Sequence, residues 1–171
     1  MKSIKQIGRH ALVLAAVLTA CAVPAWAASA EVTFVAPDGY ADIGRSSRDR
    51  DEALAGLKAH LEKAAESALP ATQKLSIEVL QVNLAGEVEP LFRHRMEEVR
   101  VLRQVSWPSM KLHYVLRDEA GTVLKEATTE LSEMDYLQRL SGRYSGALQY
   151  EKQMIDRWFA SEFAADRRSS L

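Results

Sequence analysis

Met110, Leu112, Tyr114 and Leu116 alternate with Lys111, His113, Val115 and Arg117, and no other stretch restricts the possible folds as strongly. Successive side chains on a strand point to opposite faces, so this pattern predicts a strand with one face buried. Asp118-Glu119-Ala120-Gly121 follows as a turn, with Gly121 suited to a positive φ. Residues 122–131 then return as a Thr-rich partner strand. A lone hairpin is barely stable in water, so its apolar face needs further strands or helices as cover.

The rest of the chain offers both. Val32-Thr33-Phe34-Val35 reads as a short strand, ended by Pro37-Asp38-Gly39, with a polar loop over residues 38–47. Ser47 is expected to cap a helix that has Asp49, Asp51 and Glu52 near its positive end. Leu54, Leu57, Leu61, Ala64 and Ala68 recur at helical spacing, and Leu69-Pro70 ends the run. Leu75, Ile77 and Val79 predict a half-buried strand, and residues 83–90 read as a loop because of Gly86 and Pro90. A short basic turn follows at 91–96. Val99, Val101 and Val105 suggest another strand, with Leu102 out of phase. Ser132 or Asp135 is expected to cap a long closing helix over residues 134–164. The fold class is therefore α+β: a largely antiparallel sheet of four to five strands with two amphipathic helices packed on one face.

The N-terminus reads as an export signal. Lys2, Lys5 and Arg9 precede an uncharged apolar run at residues 11–23, then Pro24 and the small residues Ala25, Ala27 and Ala28. A membrane span needs roughly 20 apolar residues, which this run does not reach. Ala25-Trp26-Ala27 fits cleavage after Ala27, whereas Leu18-Thr19-Ala20-Cys21 would instead make Cys21 a lipid anchor. The segment after Cys21 is apolar, unlike a solvated tether, which favours the cut after Ala27. That cut leaves 144 residues with 19 basic and 23 acidic side chains, a net charge of −4 and no cysteine. Such a chain is expected to fold as one domain over residues 28–165, with a frayed tail at 166–171 and no disulfide support. Mild acidity and export both argue against a nucleic-acid partner. The expected location is the periplasm, with an outer-membrane lipoprotein as the alternative.

Chemistry is thinly marked. On a helical wheel of the closing helix, Tyr144, Leu148, Ile155 and Phe159 share one side, with Trp158 and Leu140 at its margin. Glu151 falls within that stripe, where a carboxylate is costly unless paired. Arg100, Arg103 or Lys111 could pair with it. The group is then either a tuned carboxylate at a ligand site or a structural ion pair. Arg93, His94, Arg95, Arg100 and Arg103 form a basic run that could meet phosphates or an acidic cell-wall polymer, or be a solvated face balanced by nearby glutamates. Trp107, before Pro108, is a binding anchor or a core or rim residue. Asp38, Asp42, Asp135 and Glu151 are acids that could meet in space. His60, His94 and His113 lack metal-ligand spacing, and His60 is expected to be a satisfied or exposed side chain on the first helix. Gly142-Arg143-Tyr144-Ser145-Gly146 fails as a nucleophile elbow, because its serine comes one place late. No cofactor or metal is implied.

Several short blocks together resemble a family of exported proteobacterial proteins, domain of unknown function family 3016, over about residues 32–163. The blocks are Val32-Thr33-Phe34, Tyr40-Ala41-Asp42-Ile43, Leu84-Ala85-Gly86-Glu87 with Glu89-Pro90, and Val99-Arg100-Val101. They continue with Trp107-Pro108, Leu112-His113-Tyr114, Met134-Asp135-Tyr136, Tyr150-Glu151-Lys152 and Trp158-Phe159. The family pattern often has an acid near position 83, where this chain has Asn83. The resemblance implies a Gram-negative envelope protein of unassigned activity and carries over no catalytic residue. Two functions are compatible with these readings. One is a non-catalytic domain that binds another envelope protein or a cell-wall component. The other is a small periplasmic hydrolase or ligand-binding enzyme that uses Glu151.

Overall fold

Alternation and helical spacing translate into eight principal elements. They are β1 (Ser29–Phe34), α1 (Ser47–Ala68), β2 (Lys74–Asn83), β3 (Glu87–Leu91), β4 (Glu97–Val101), β5 (Ser109–Arg117), β6 (Val123–Ser132) and α2 (Gln149–Glu162). The structure, a computed structural model, describes residues 29–44, 46–91, 97–139 and 142–164. The export signal, the basic turn with Arg93, His94 and Arg95, Leu140 and the tail at 166–171 lie outside the described residues.

Four strands form one sheet in the order β1-β2-β5-β6, and β3 and β4 form a separate antiparallel ribbon. The expected hairpin is β5–β6, with Tyr114 opposite Ala127. Gly121 has a φ of 85° at its turn. The sheet is mixed, because β1 and β2 run parallel while β2–β5 and β5–β6 are antiparallel. A helix between β1 and β2 returns the chain to the end where it started, which a short turn cannot do.

One face of the sheet is apolar and covered. Val32, Leu75, Ile77, Val79, Met110, Leu112, Tyr114 and Leu116 join Leu57, Leu61, Ile155, Phe159 and Phe163 from the helical side in one buried cluster. The opposite face presents Ser76, Glu78, Lys111 and Arg117 to solvent. A bulge between Val79 and Gln81 shifts the register of β2. Val82, rather than Gln81, therefore turns into the core.

Four local expectations are corrected. Ser46, not Ser47, caps α1, its side chain accepting the Asp49 amide at 3.0 Å. The apolar stripe of α1 centres on Ala53, Leu57, Leu61, Ala65 and Ala68, leaving Leu54 and Ala64 half-buried. The expected loop around Pro90 is strand β3, which an outer ribbon tolerates because proline withholds only one amide. Its partner β4 ends at Val101, and Val105 is 74% exposed in the turn beyond.

The largest correction concerns the closing helix, which starts at Gln149 and not near residue 134. Asp135 instead closes a turn, its carbonyl accepting the Gln138 and Arg139 amides. Tyr136 is buried and donates its hydroxyl to the Arg103 carbonyl at 2.8 Å, anchoring that turn. Gly142 and Gly146 disfavour helix. Gly146 has a φ of 81° and Leu148 a φ of 62°, so both are left-handed just before α2. Tyr144 therefore lies outside the helix, and the Leu148 side chain crosses onto Gly56 of α1.

Candidate functional site

Two loops meet where the ribbon adjoins the helices. After β1, buried Tyr40 donates its hydroxyl to the Val79 carbonyl at 2.6 Å, and Ile43 is buried beside it. This anchoring lays Asp42 against Asn83 in a parallel bridge, with the Leu84 amide donating to the Asp42 carbonyl at 3.0 Å. The next residues, Leu84, Ala85 and Gly86, are all buried.

Arg100 of β4 ties the two loops together. Its guanidinium makes two parallel bonds to the Asp42 carboxylate, at 2.8 and 2.9 Å. It also donates to the carbonyls of Ala85 at 3.3 Å and Gly86 at 3.0 Å. A planar fork suits this task, because one cation serves a carboxylate and two carbonyls at once. Lysine offers a point charge on a shorter reach. Arg100→Lys is accordingly expected to lower stability by about 1–2 kcal/mol in urea unfolding, while Arg100→Met should lose more by stranding Asp42.

Glu151 approaches the same loop from the other side. It stands in the first turn of α2, is only 3% exposed, and accepts the Ala85 amide at 2.7 Å. Burial pushes its carboxyl above the ordinary range, opposed by the Ala85 amide, its own amide and the positive charge of Arg100. The peptide of Ala85 is thus held at both ends, its N–H by Glu151 and its C=O by Arg100.

Above this floor opens a cleft of about 580 Å³. Ile43, Ala53, Leu84, Val88, Leu102 and Leu148 give it apolar walls. Asp49 and Glu52 stand along the α1 side, and Arg100 and Glu151 also line it. Clefts of this size with few polar groups are the usual form of small-molecule sites. The left-handed Leu148, uncommon for a branched side chain, sits on its rim.

The expected site residues divide. Arg100 and Glu151 share the cleft, although the carboxylate that Arg100 bonds directly is Asp42 and not Glu151. Arg103 pairs with Glu89 and points its carbonyl at Tyr136. Asp135 is exposed and lies 3.4 Å from Arg139. Trp107 is half-buried and accepts a 3.4 Å bond at its carbonyl from Asn83. Neither Arg103, Asp135 nor Trp107 lines the cleft. Lys111 is exposed between Gln81 and Glu130 on the open face of the sheet, away from Glu151.

A second cluster joins the two helices. His60 lies against Asp156 (2.9 Å) and the Lys152 carbonyl (3.1 Å), so Nε2 carries the proton it donates to these acceptors. Tyr144 donates to the other Asp156 oxygen at 2.7 Å and meets the His60 ring edge-on. Sequence spacing could not reveal this group, because its members are separated by more than 80 residues along the chain in the His60–Tyr144 case and meet only across the helix seam. Among the described residues, no group of three or more His, Cys, Asp or Glu is placed to hold a metal ion. Nor is any helix among them long and apolar enough to cross a membrane.

Fold and cleft define a small two-layer α+β protein with an apolar-walled pocket floored by a doubly held peptide. The chain belongs to the family described as protein of unknown function (DUF3016), whose sequence pattern matches residues 28–161. No curated protein and no solved structure matches it. Asp42, Leu84-Ala85-Gly86, Arg100 and Glu151, from four of the blocks that carried the resemblance, converge on one hydrogen-bonded network.

Proposed function

We propose that this protein is an exported, periplasmic binding domain of the Gram-negative envelope, and that the cleft over Ala85 is its ligand seat. The observation that carries the binding role is a cleft whose strongest polar groups are already committed. Glu151 is occupied by main-chain amides, and Arg100 by Asp42 and two carbonyls. A catalytic acid or electrophile has to reach substrate, whereas these groups spend their bonding capacity on the loop. They shape a preformed seat.

Export is supported by the basic head, apolar run and Ala25-Trp26-Ala27 site, and by a family match that starts at residue 28. Native mass spectrometry of the untagged protein purified from its own envelope tests both parts. The expected chain begins at Ala28 and carries a small adduct that denaturation releases. A chain that still begins at Met1 would reject export. One that begins at a lipidated Cys21 would move the protein to a membrane surface.

One observation favours the enzymatic alternative, a small hydrolase. Glu151 lines the cleft with its carboxyl held above the usual range, as a general acid requires. Under that reading Glu151→Gln abolishes turnover and retains binding.

A further inference from the structure

The charges around the cleft do not balance. Arg100 is the one cation that lines it among the described residues, and Asp42 neutralises it. Two helix N-termini face the cleft and would ordinarily attract an anion. Each is already answered within the protein, α1 by the Ser46 side chain, which accepts the Asp49 amide, and α2 by Glu151 in its first turn. What remains is acidic. Glu52 has an exposed partner in Arg48 at 3.0 Å. Asp49 has no cation within 4.0 Å among the described residues. It is exposed and lines the cleft beside Ala53.

We propose that the cleft takes a small organic cation: an apolar body against Ile43, Leu84, Val88, Leu102 and Leu148, with a protonated amine against Asp49. The inference rests on the cleft being the ligand seat. Two features support the class. Among the described residues an anion would meet net negative charge and no unpaired cation, which costs affinity. A neutral apolar molecule would fill the walls and leave the charge of Asp49 unused. The volume of about 580 Å³ suits a free small molecule rather than a folded partner.

The test is a titration of the chain, purified without a tag, with octylammonium, octanol and octanoate, followed by calorimetry and by amide shifts at residues 43–53 and 84–88. Octylammonium is expected to bind about fivefold more tightly than octanol, as one solvent-accessible charge pair allows. Octanoate should bind more weakly than either. Asp49→Asn should bring octylammonium down to the level of octanol and leave octanol unchanged. Leu102→Trp, a change at a 39% exposed rim position, should block all three while the melting temperature holds. If octanoate binds as well as octylammonium, or the amine preference survives Asp49→Asn, the cation assignment is overturned and the seat stands. If binding survives Leu102→Trp, or none of the three probes binds, the seat itself is wrong and both readings fall.

Discussion

Gly86→Ala is expected to destabilise the protein by about 3–4 kcal/mol, the largest effect of a methyl group added at any described glycine. Gly86 has a φ of 80°, a left-handed conformation that already costs a side chain about 1–2 kcal/mol. A Cβ there would also lie 2.6 Å from the Val101 carbonyl oxygen and 2.9 Å from Leu102 Cδ2. Backbone cannot step aside as a side-chain tip can, so the ribbon must shift. That shift would pull on the Gly86 amide, which donates to the Ser106 carbonyl at 2.8 Å, and on the Gly86 carbonyl held by Arg100. Gly121→Ala is the control. It has nearly the same φ, 85°, but no atom within 4 Å of the added carbon. Its cost should stay near 1 kcal/mol, so the difference between the two variants in urea midpoints measures the close approach alone. Equal costs would mean that the loop at 84–86 yields easily and that the cleft floor is soft.

Glu151→Ala should cost about 2–4 kcal/mol, because it strands the buried Ala85 amide and leaves a void under the first turn of α2. Glu151→Gln keeps an acceptor for that amide and should stay within about 1 kcal/mol of the parent at neutral pH. The pH dependence separates burial from hydrogen bonding. The folded carboxyl is held above its ordinary value of 4.5, chiefly by desolvation. The folded state therefore keeps the proton more readily than the unfolded chain. The contribution from this raised pKa is fully present below about 4.5 and is lost as pH rises through the higher folded value. The stability of the parent relative to Glu151→Gln should accordingly decline on going from pH 4 upward, read as the difference between two thermal or urea series. A difference that grows with pH would mean that the amides and Arg100 outweigh burial, and that the carboxylate is the preferred form.

Local pattern carried far in this chain, and the elements show where it stopped. Residues 110–116 and 75–79 alternate so regularly that their buried faces were legible before any fold, because a strand has only two faces. The stripe of α1 was legible for the same reason, with an error of one position that moved the burial from Leu54 and Ala64 to Ala53 and Ala65. The closing helix failed because a 3.6-residue period can pass through a stretch that tertiary contacts have claimed. Tyr136 prefers the Arg103 carbonyl and Tyr144 prefers Asp156, and these bonds, with Gly142 and Gly146, keep residues 142–148 out of a helix.

For the cleft, the sequence by itself determined that Glu151 lies in an apolar stripe, and it left Arg100, Arg103 and Lys111 as alternative partners. Only the tertiary structure decided that Asp42, some 58 residues from Arg100, takes its charge, and that Glu151 spends itself on a peptide amide. The reason is physical. Periodicity reports which way a side chain faces relative to its own element, and that information is local. Which group stands opposite depends on how distant loops are laid side by side, and here that rests on Tyr40, the β2 bulge and the crossing of Leu148 over Gly56.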